Sequence, residues 1–365
     1  MKNDRCCHLT SLSLQLRRPR VIQRTQRYRY RTKSSRDRGW HMGTKRVVVI
    51  EGDDAAPEAV RPTVTLLKQL NLDIERLHPP FGNEALARHG TLFPDDTREA
   101  IDTADTTLFG ASSGSAEPVI RHLRWGKDTY ANVRPARWIP GCKSPLANPE
   151  GIDLIILREN LEDLAIGAGG ELELLRPIEL YSWRTGEAIA DMGPGKFSLK
   201  VITEAGTERI ARFAFELARQ RKAEGKPGKV TCATKHNLIP EADGLFRDVT
   251  IRVAKSYPDV PFDTFIIDDF ARRLIAEPHA FDVVVLPSLY GDIFSDAAGG
   301  VIGGLGLCPS GVYGDHYAYF EPIHGSAPDI MGKNDTFHLR FLLCSDCPID
   351  FLLLRATSLS QALII

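Results

Sequence analysis

Asp292 and Asp296 stand four residues apart in Tyr290-Gly-Asp-Ile-Phe-Ser-Asp296, just after the run Asp282-Val-Val-Val-Leu286 and a turn at Pro287-Ser288. On a helix starting near Gly291 both carboxylates project from one face. Two close carboxylates repel each other unless a cation lies between them, and hard oxygen ligands suit Mg2+ or Mn2+. The same spacing also suits a cap at Asp292 beside a solvated Asp296. A second acidic pair, Asp268-Asp269, closes the stretch 262–267, where it could supply a third oxygen or cap a helix.

A basic set accompanies these acids. Arg121 and Arg124 lie three residues apart on one face of a predicted helix over 119–124, Arg134 and Arg158 lie at the ends of two other predicted elements, and Lys235 follows the predicted strand 229–233. Guanidinium forks grip carboxylates through two parallel hydrogen bonds, so several of them beside a divalent cation would suit a small polycarboxylate. Taken singly, each arginine reads more readily as a solvated surface residue. The loop His324-Gly-Ser-Ala-Pro-Asp329 is built of small residues that let a ligand approach the backbone, and Asp329 could accept hydrogen bonds from ribose hydroxyls. The glycines of Gly299-Gly-Val-Ile-Gly-Gly-Leu-Gly306 do not have G-x-G-x-x-G spacing, so a Rossmann dinucleotide site is not predicted.

The elements that must position these groups alternate between short β-branched runs and longer amphipathic stretches, the pattern of an α/β protein with substantial parallel sheet. Strands are predicted at 46–50, 105–109, 134–139, 153–157, 197–202, 229–233, 262–267 and 282–286. A helix is predicted over 204–222, where Ile210, Phe213, Ala214, Leu217 and Ala218 share one face. Thr203 caps it, and Gly225, Pro227 and Gly228 stop it. Residues 168–195 read as an irregular arm.

The chain has 365 residues, 43% hydrophobic and 25% charged, with a formal net charge of -1. That composition excludes a wholly disordered or collagen-like chain, and no apolar run approaches the roughly 20 residues of a bilayer span. The charge is unevenly distributed. Residues 1–41 hold twelve basic and two acidic side chains, which leaves 34 basic against 45 acidic in the remaining 324. The leader is predicted to be disordered. It reads as a transit peptide, a nucleic-acid arm, or sequence upstream of a physiological start at Met42. Three scattered cysteines in the body, Cys142, Cys232 and Cys308, make no disulfide framework and suit a reducing compartment.

Four strings, in order, resemble the isocitrate/isopropylmalate dehydrogenase family of metal-dependent β-decarboxylating dehydrogenases. They are Tyr130-Ala-Asn-Val-Arg-Pro-Ala136, Arg158-Glu-Asn160, Gly291-Asp-Ile-Phe-Ser-Asp296 and Glu321-Pro-Ile-His-Gly-Ser-Ala-Pro-Asp-Ile330. The resemblance spans residues 47–334. It implies an isopropylmalate dehydrogenase-like α/β fold of two domains with a mixed, largely parallel sheet. Residues 43–129 with 304–334 would form the cofactor domain, and 130–303 the substrate and dimerisation domain bearing the arm.

The resemblance further implies that Arg124, Arg134 and Arg158 hold the carboxylates of a malate-like substrate, with Arg121 reading its substituent. Asp292 and Asp296, with Asp268 from a second copy, would hold Mg2+ or Mn2+. Lys235 would act as the catalytic lysine across a homodimer with shared active sites, with Asp268 beside it. Asn237, Glu321, His324, Gly325, Ser326, Ala327 and Asp329 would bind NAD. Asp329 favours NAD because a carboxylate repels a 2′-phosphate. Arg121 favours a charged substituent, as in homoisocitrate or isocitrate, over 3-isopropylmalate or tartrate. A cytoplasmic enzyme without nucleic-acid or membrane partners is expected, or a mitochondrial one if the leader is a transit peptide.

Three departures from the family pattern stand out. Ala165 occupies the place of the tyrosine that protonates the enol, with Tyr181 as a conceivable stand-in. Gly52-Asp-Asp-Ala-Ala-Pro-Glu58 replaces two usual glycines by Asp54 and Ala56. In the atypical tail, 335–365, the continuation of the pattern is not legible. Together these keep open a second reading, a catalytically impaired or regulatory relative.

Overall fold

The computed structural model describes residues 44–70 and 72–333. The basic leader 1–41 and the tail 335–365 lie outside the described residues. In chain order the strands and helices are β1 (Lys45–Ile50), α1 (Ala56–Gln69), β2 (Ile74–Leu77), α2 (Gly82–His89), α3 (Asp95–Thr103), β3 (Thr106–Phe109), α4 (Glu117–Arg121), β4 (Ala131–Arg137), β5 (Asp153–Glu159), β6 (Gly169–Glu171) and β7 (Lys196–Ser198). There follow α5 (Glu204–Ala223), β8 (Val230–Thr234), α6 (Ala242–Ala254), β9 (Phe262–Ile266), α7 (Ile267–Ala276), β10 (Val283–Leu286), α8 (Ser288–Ile302), β11 (Pro309–Tyr313) and β12 (Ala318–Pro322).

One sheet carries the site, in the order β2-β1-β3-β12-β11-β4-β5-β10-β8-β9. Its pairings are parallel except for β12–β11, β11–β4 and β4–β5, so the expected mixed, largely parallel α/β architecture is present. Both faces are covered, and this explains why strands such as β10 read as unbroken apolar runs. Val283 and Val285 pack with α5 and α6, while Val284 and Leu286 pack with α7 and α8. At the other end of the sheet, Val47 and Val49 of β1 meet Val60, Val64 and Leu67 of α1. Among the described residues no helix is long and apolar enough to cross a membrane.

Helix α5 starts where predicted: the Thr203 hydroxyl accepts the Gly206 N–H at 3.0 Å. The predicted strand 197–202 is different. Only Lys196–Ser198 forms a strand, and it pairs antiparallel with β6 at the base of the arm instead of joining the main sheet. Leu199 and Val201 stay 45% and 37% exposed, so an alternating apolar pattern here does not mark a sheet face. Strands β2, β6, β11 and β12 fall outside the predicted strands. Pro309-Ser-Gly is made of residue types common in turns, yet it forms a buried strand opposite Glu321 and Phe320.

Candidate active site

Three arginines gather where β4, β5 and the head of α8 meet. Arg158 is the last residue but one of β5 and pairs in register with Asn132 of β4, two residues before Arg134. The Arg134 and Arg158 side chains are only 5% and 9% exposed, and both donate to Asp292 Oδ1, Arg134 at 3.0 Å. Hydroxyls complete the cradle. Arg134 Nη1 donates to Ser295 Oγ at 2.7 Å and its Nε to Asn132 Oδ1 at 3.2 Å, while Arg158 reaches Ser288 Oγ through Nε and Nη2 at 3.4 and 3.3 Å. Helix α8 approaches this closely because residue 291 is glycine: a Cβ there would lie 2.6 Å from Arg158 Cβ.

Burial and the neighbouring Arg134 push the Arg158 guanidinium down to about 10, against the pull of Asp292. A carboxylate ligand beside it would favour the charged guanidinium. Arg124 stands at its edge, with Nε donating to Tyr319 Oη at 3.3 Å and Nη2 to Glu321 Oε1 at 3.5 Å. Burial would lower the Arg124 guanidinium, but Tyr319 and Glu321 hold it above its ordinary value. Glu321 thus belongs with the arginines and not with the small-residue loop that follows it.

Arg121 is not drawn into this group. Its side chain is 67% exposed and pairs with Glu117 of the same helix at 2.6 Å. The expectation that Arg121 and Arg124 share a face assumes an α-helix throughout, but the chain widens into a π turn at His122–Gly126, with Lys127 N–H donating to His122 O. The extra residue in that turn re-aims Arg124.

Asp296, four residues after Asp292, has its carboxyl raised by burial first and then by the Asp292 charge, with Arg134 and Arg158 opposing. A pair of hard oxygen donors in which one resists ionisation is a donor set that a divalent cation would stabilise. Both arginine contacts fall on Asp292 Oδ1. Asp268 lies elsewhere in the chain, at the start of α7, where Lys235 Nζ donates to its Oδ1 at 2.5 Å. That contact, named first among the causes, lowers the Asp268 carboxyl. Among the described residues no three His, Cys, Asp or Glu side chains of one chain come close enough to hold a metal. Asp292 and Asp296 fit the cation as two donors of a site needing a third.

The small-residue loop packs on the altered glycine loop. Ser326 Oγ donates to Asp54 Oδ2 at 2.6 Å, Ala55 N–H donates to Ser326 O at 3.0 Å, and Gly332 N–H donates to Glu58 Oε1 at 2.6 Å. Asp54 takes up φ +53°, the left-handed conformation usual for the glycine it replaces and tolerated by aspartate better than by most residues. Gly52 is retained where a Cβ would come 2.4 Å from Ala111 O. Burial would raise the Asp53 carboxyl, but hydrogen bonds from Ser115, Ser113, Ala116 and Ser112 outweigh it and hold the group low. In the loop itself, Gly325 and Asp329 are exposed, Ala327 adopts φ +52°, and His324 Nδ1 lies 2.9 Å from Gly325 O. Asn237 is exposed in the turn after β8.

Ala165 lies in a short 3-10 turn, Leu164–Ile166, that leads into the arm. Tyr181 is 57% exposed within the arm, where it bridges to Ala188. The residues missed at the sequence level are chiefly the holders, Ser288, Ser295, Asn132 and Tyr319. Ser288 and Ser295 could have been found by extending the helical face of Asp292 in both directions.

Glu159, beside Arg158, is 1% exposed, and burial pushes its carboxyl up to about 7 although the Glu162 and Leu161 N–H groups donate to it. The fold favours the protonated form. That contribution is complete below the ordinary value of 4.5 and is lost as pH rises through about 7. Glu159→Gln should therefore gain on the parent by about 3 kcal/mol between pH 4.5 and pH 8.5. Urea unfolding at the two pH values checks this; a difference independent of pH would contradict it.

A profile of the isocitrate/isopropylmalate dehydrogenase family matches residues 46–345. The 3-isopropylmalate/3-methylmalate dehydrogenase of Methanocaldococcus jannaschii is 43% identical over 79% of this chain and 80% of its own. The isocitrate/homoisocitrate dehydrogenase of Thermus thermophilus is 39% identical over 84% and 85%. Among solved structures, an isocitrate dehydrogenase from Methylococcus capsulatus superposes with a TM-score of 0.70 at 31% identity, covering 87% of each chain.

Proposed function

The chain belongs to the isocitrate/isopropylmalate dehydrogenase family, and we propose that it oxidatively decarboxylates a 3-substituted malate with NAD and Mg2+ or Mn2+. The observation that carries this reading is the convergence of Arg134 and Arg158 on Asp292, with Arg124 at the edge. Residues 43–129 with 304–334 serve as the cofactor domain, and 130–303 as the substrate and dimerisation domain of a cytoplasmic homodimer.

The three arginines bind and orient the two malate carboxylates, so that C2–H faces the nicotinamide. Asp292 and Asp296, with Asp268 from a second copy, would hold the divalent cation. When bound, that cation polarises the C2 oxygen and offsets negative charge as CO2 leaves. Lys235, also from the second copy, removes the hydroxyl proton as hydride passes to NAD. Loop 324–330 seats the adenosine half, and Asp329 accepts from its ribose hydroxyls. With Ala165 in place of a phenol, water delivers the closing proton.

The substituent is the finer point. Arg121 favours a carboxylate there, as in homoisocitrate or isocitrate. A second reading, 3-isopropylmalate, is favoured by the Glu117 partner that already neutralises Arg121, and it agrees with the name of the Methanocaldococcus relative. Assay of the full chain with Mn2+ and NAD or NADP against each acid tests the proposal. NADH formation from one 3-substituted malate is expected, raised further in Ala165→Tyr. A folded, cation-binding protein silent toward all of them would point to the impaired relative instead.

A further inference from the structure

Two aspartates outside the site just described are fully buried, and a single lysine serves both. Lys200 Nζ lies 2.9 Å from Asp163 Oδ1 and 2.9 Å from Asp243 Oδ1, and both carboxylates are 0% exposed. The ammonium also sits 4.6 Å over the ring of Tyr290. Two buried carboxylates that share one cation depend on it, because neither is solvated and their charges repel.

The remaining oxygens point to what the cluster does. Asp243 Oδ2 accepts the backbone N–H of Lys235 at 2.7 Å. Asp163 Oδ2 accepts the backbone N–H of Leu289 at 2.9 Å, in the first turn of α8, three residues before Asp292. Asp163 is itself held at φ +64°, unusual for a residue with a side chain, in the turn that leads to Ala165. One ammonium thus ties the turn carrying Lys235 to the helix carrying Asp292 and Asp296.

We infer that Lys200 is a positioning residue, which fixes the Lys235 turn and the head of α8 in one arrangement through Asp243 and Asp163. Its kinetic consequence rests on the dehydrogenase reading; its structural consequence does not.

The test uses the full chain with Lys200→Met and Lys200→Arg, and it follows amide hydrogen exchange at Lys235 and Leu289 alongside steady-state kinetics. In Lys200→Met both amides should lose protection together, and kcat should fall at least tenfold. The KM for NAD should change less than kcat, because Ser326 of loop 324–330 is tied to Asp54 and Ala55 and not to this cluster. Lys200→Arg, which can still bridge two carboxylates, should restore protection and most of kcat. Where Lys200→Met does not fold, Lys200→Gln keeps N–H donors without the charge and should show the same paired loss. Protection retained at either amide in a folded variant, or lost protection with an unchanged kcat, overturns the inference. An inactive parent whose amides still respond as a pair would sink the dehydrogenase reading and leave this one standing.

Discussion

Asp292→Asn should lower kcat/KM about a thousandfold while leaving the protein folded. Asparagine keeps an Oδ1 that Arg134 and Arg158 can share, so the contacts anchoring α8 to β4 and β5 persist. What disappears is the anionic oxygen left over once Oδ1 is engaged. Asp296 does not make up the loss, because it already stands as a separate donor of the same site. A cation that stabilises developing charge supplies several kcal/mol, and about 4 kcal/mol is a factor near a thousand in rate. The loss should fall mainly on kcat, with Mn2+ affinity, read by electron paramagnetic resonance, weakened in parallel. Affinity within twofold of the parent would remove Asp292 from the cation site.

Arg158→Gln should separate binding from stability. The Arg158 charge is held against burial and against Arg134, which is why its guanidinium is pushed down to about 10. Removing that charge should leave the unfolding midpoint unchanged or higher. With substrate bound, the same guanidinium would make two charge-assisted hydrogen bonds to a carboxylate, worth together about 4 kcal/mol. The expected outcome is a rise of two to three orders of magnitude in the KM for the acid, with a smaller change in kcat. Active sites commonly carry such a trade, being tolerated by the fold for the sake of a ligand. A midpoint that falls steeply while KM stays fixed would make Arg158 a structural residue.

Much of this site was legible in the sequence because its chemistry is local. Asp292 and Asp296 share a helical face by spacing alone, and Thr203 announces α5 by its type and place. Arg134 and Arg158 were visible as residues, but their meeting depends on the antiparallel β4–β5 register, which no spacing reveals. Arg121 was misplaced relative to Arg124 because a period of 3.6 was assumed across a turn that widens to a π geometry. The β11–β12 hairpin escaped notice because Pro309-Ser-Gly carries turn chemistry into a buried strand. The cluster of Asp163, Lys200 and Asp243 could not have been found from spacing, since its members are brought together only by the tertiary fold.

The central claim is that one site oxidises C2 and expels the neighbouring carboxylate. The full chain, supplied with Mn2+, NAD and a 3-substituted malate labelled with 13C in the carboxylate to be lost, should release labelled CO2 and NADH in equal amounts, and neither without the cation. NADH formed without labelled CO2, or no NADH from any 3-substituted malate, would contradict it.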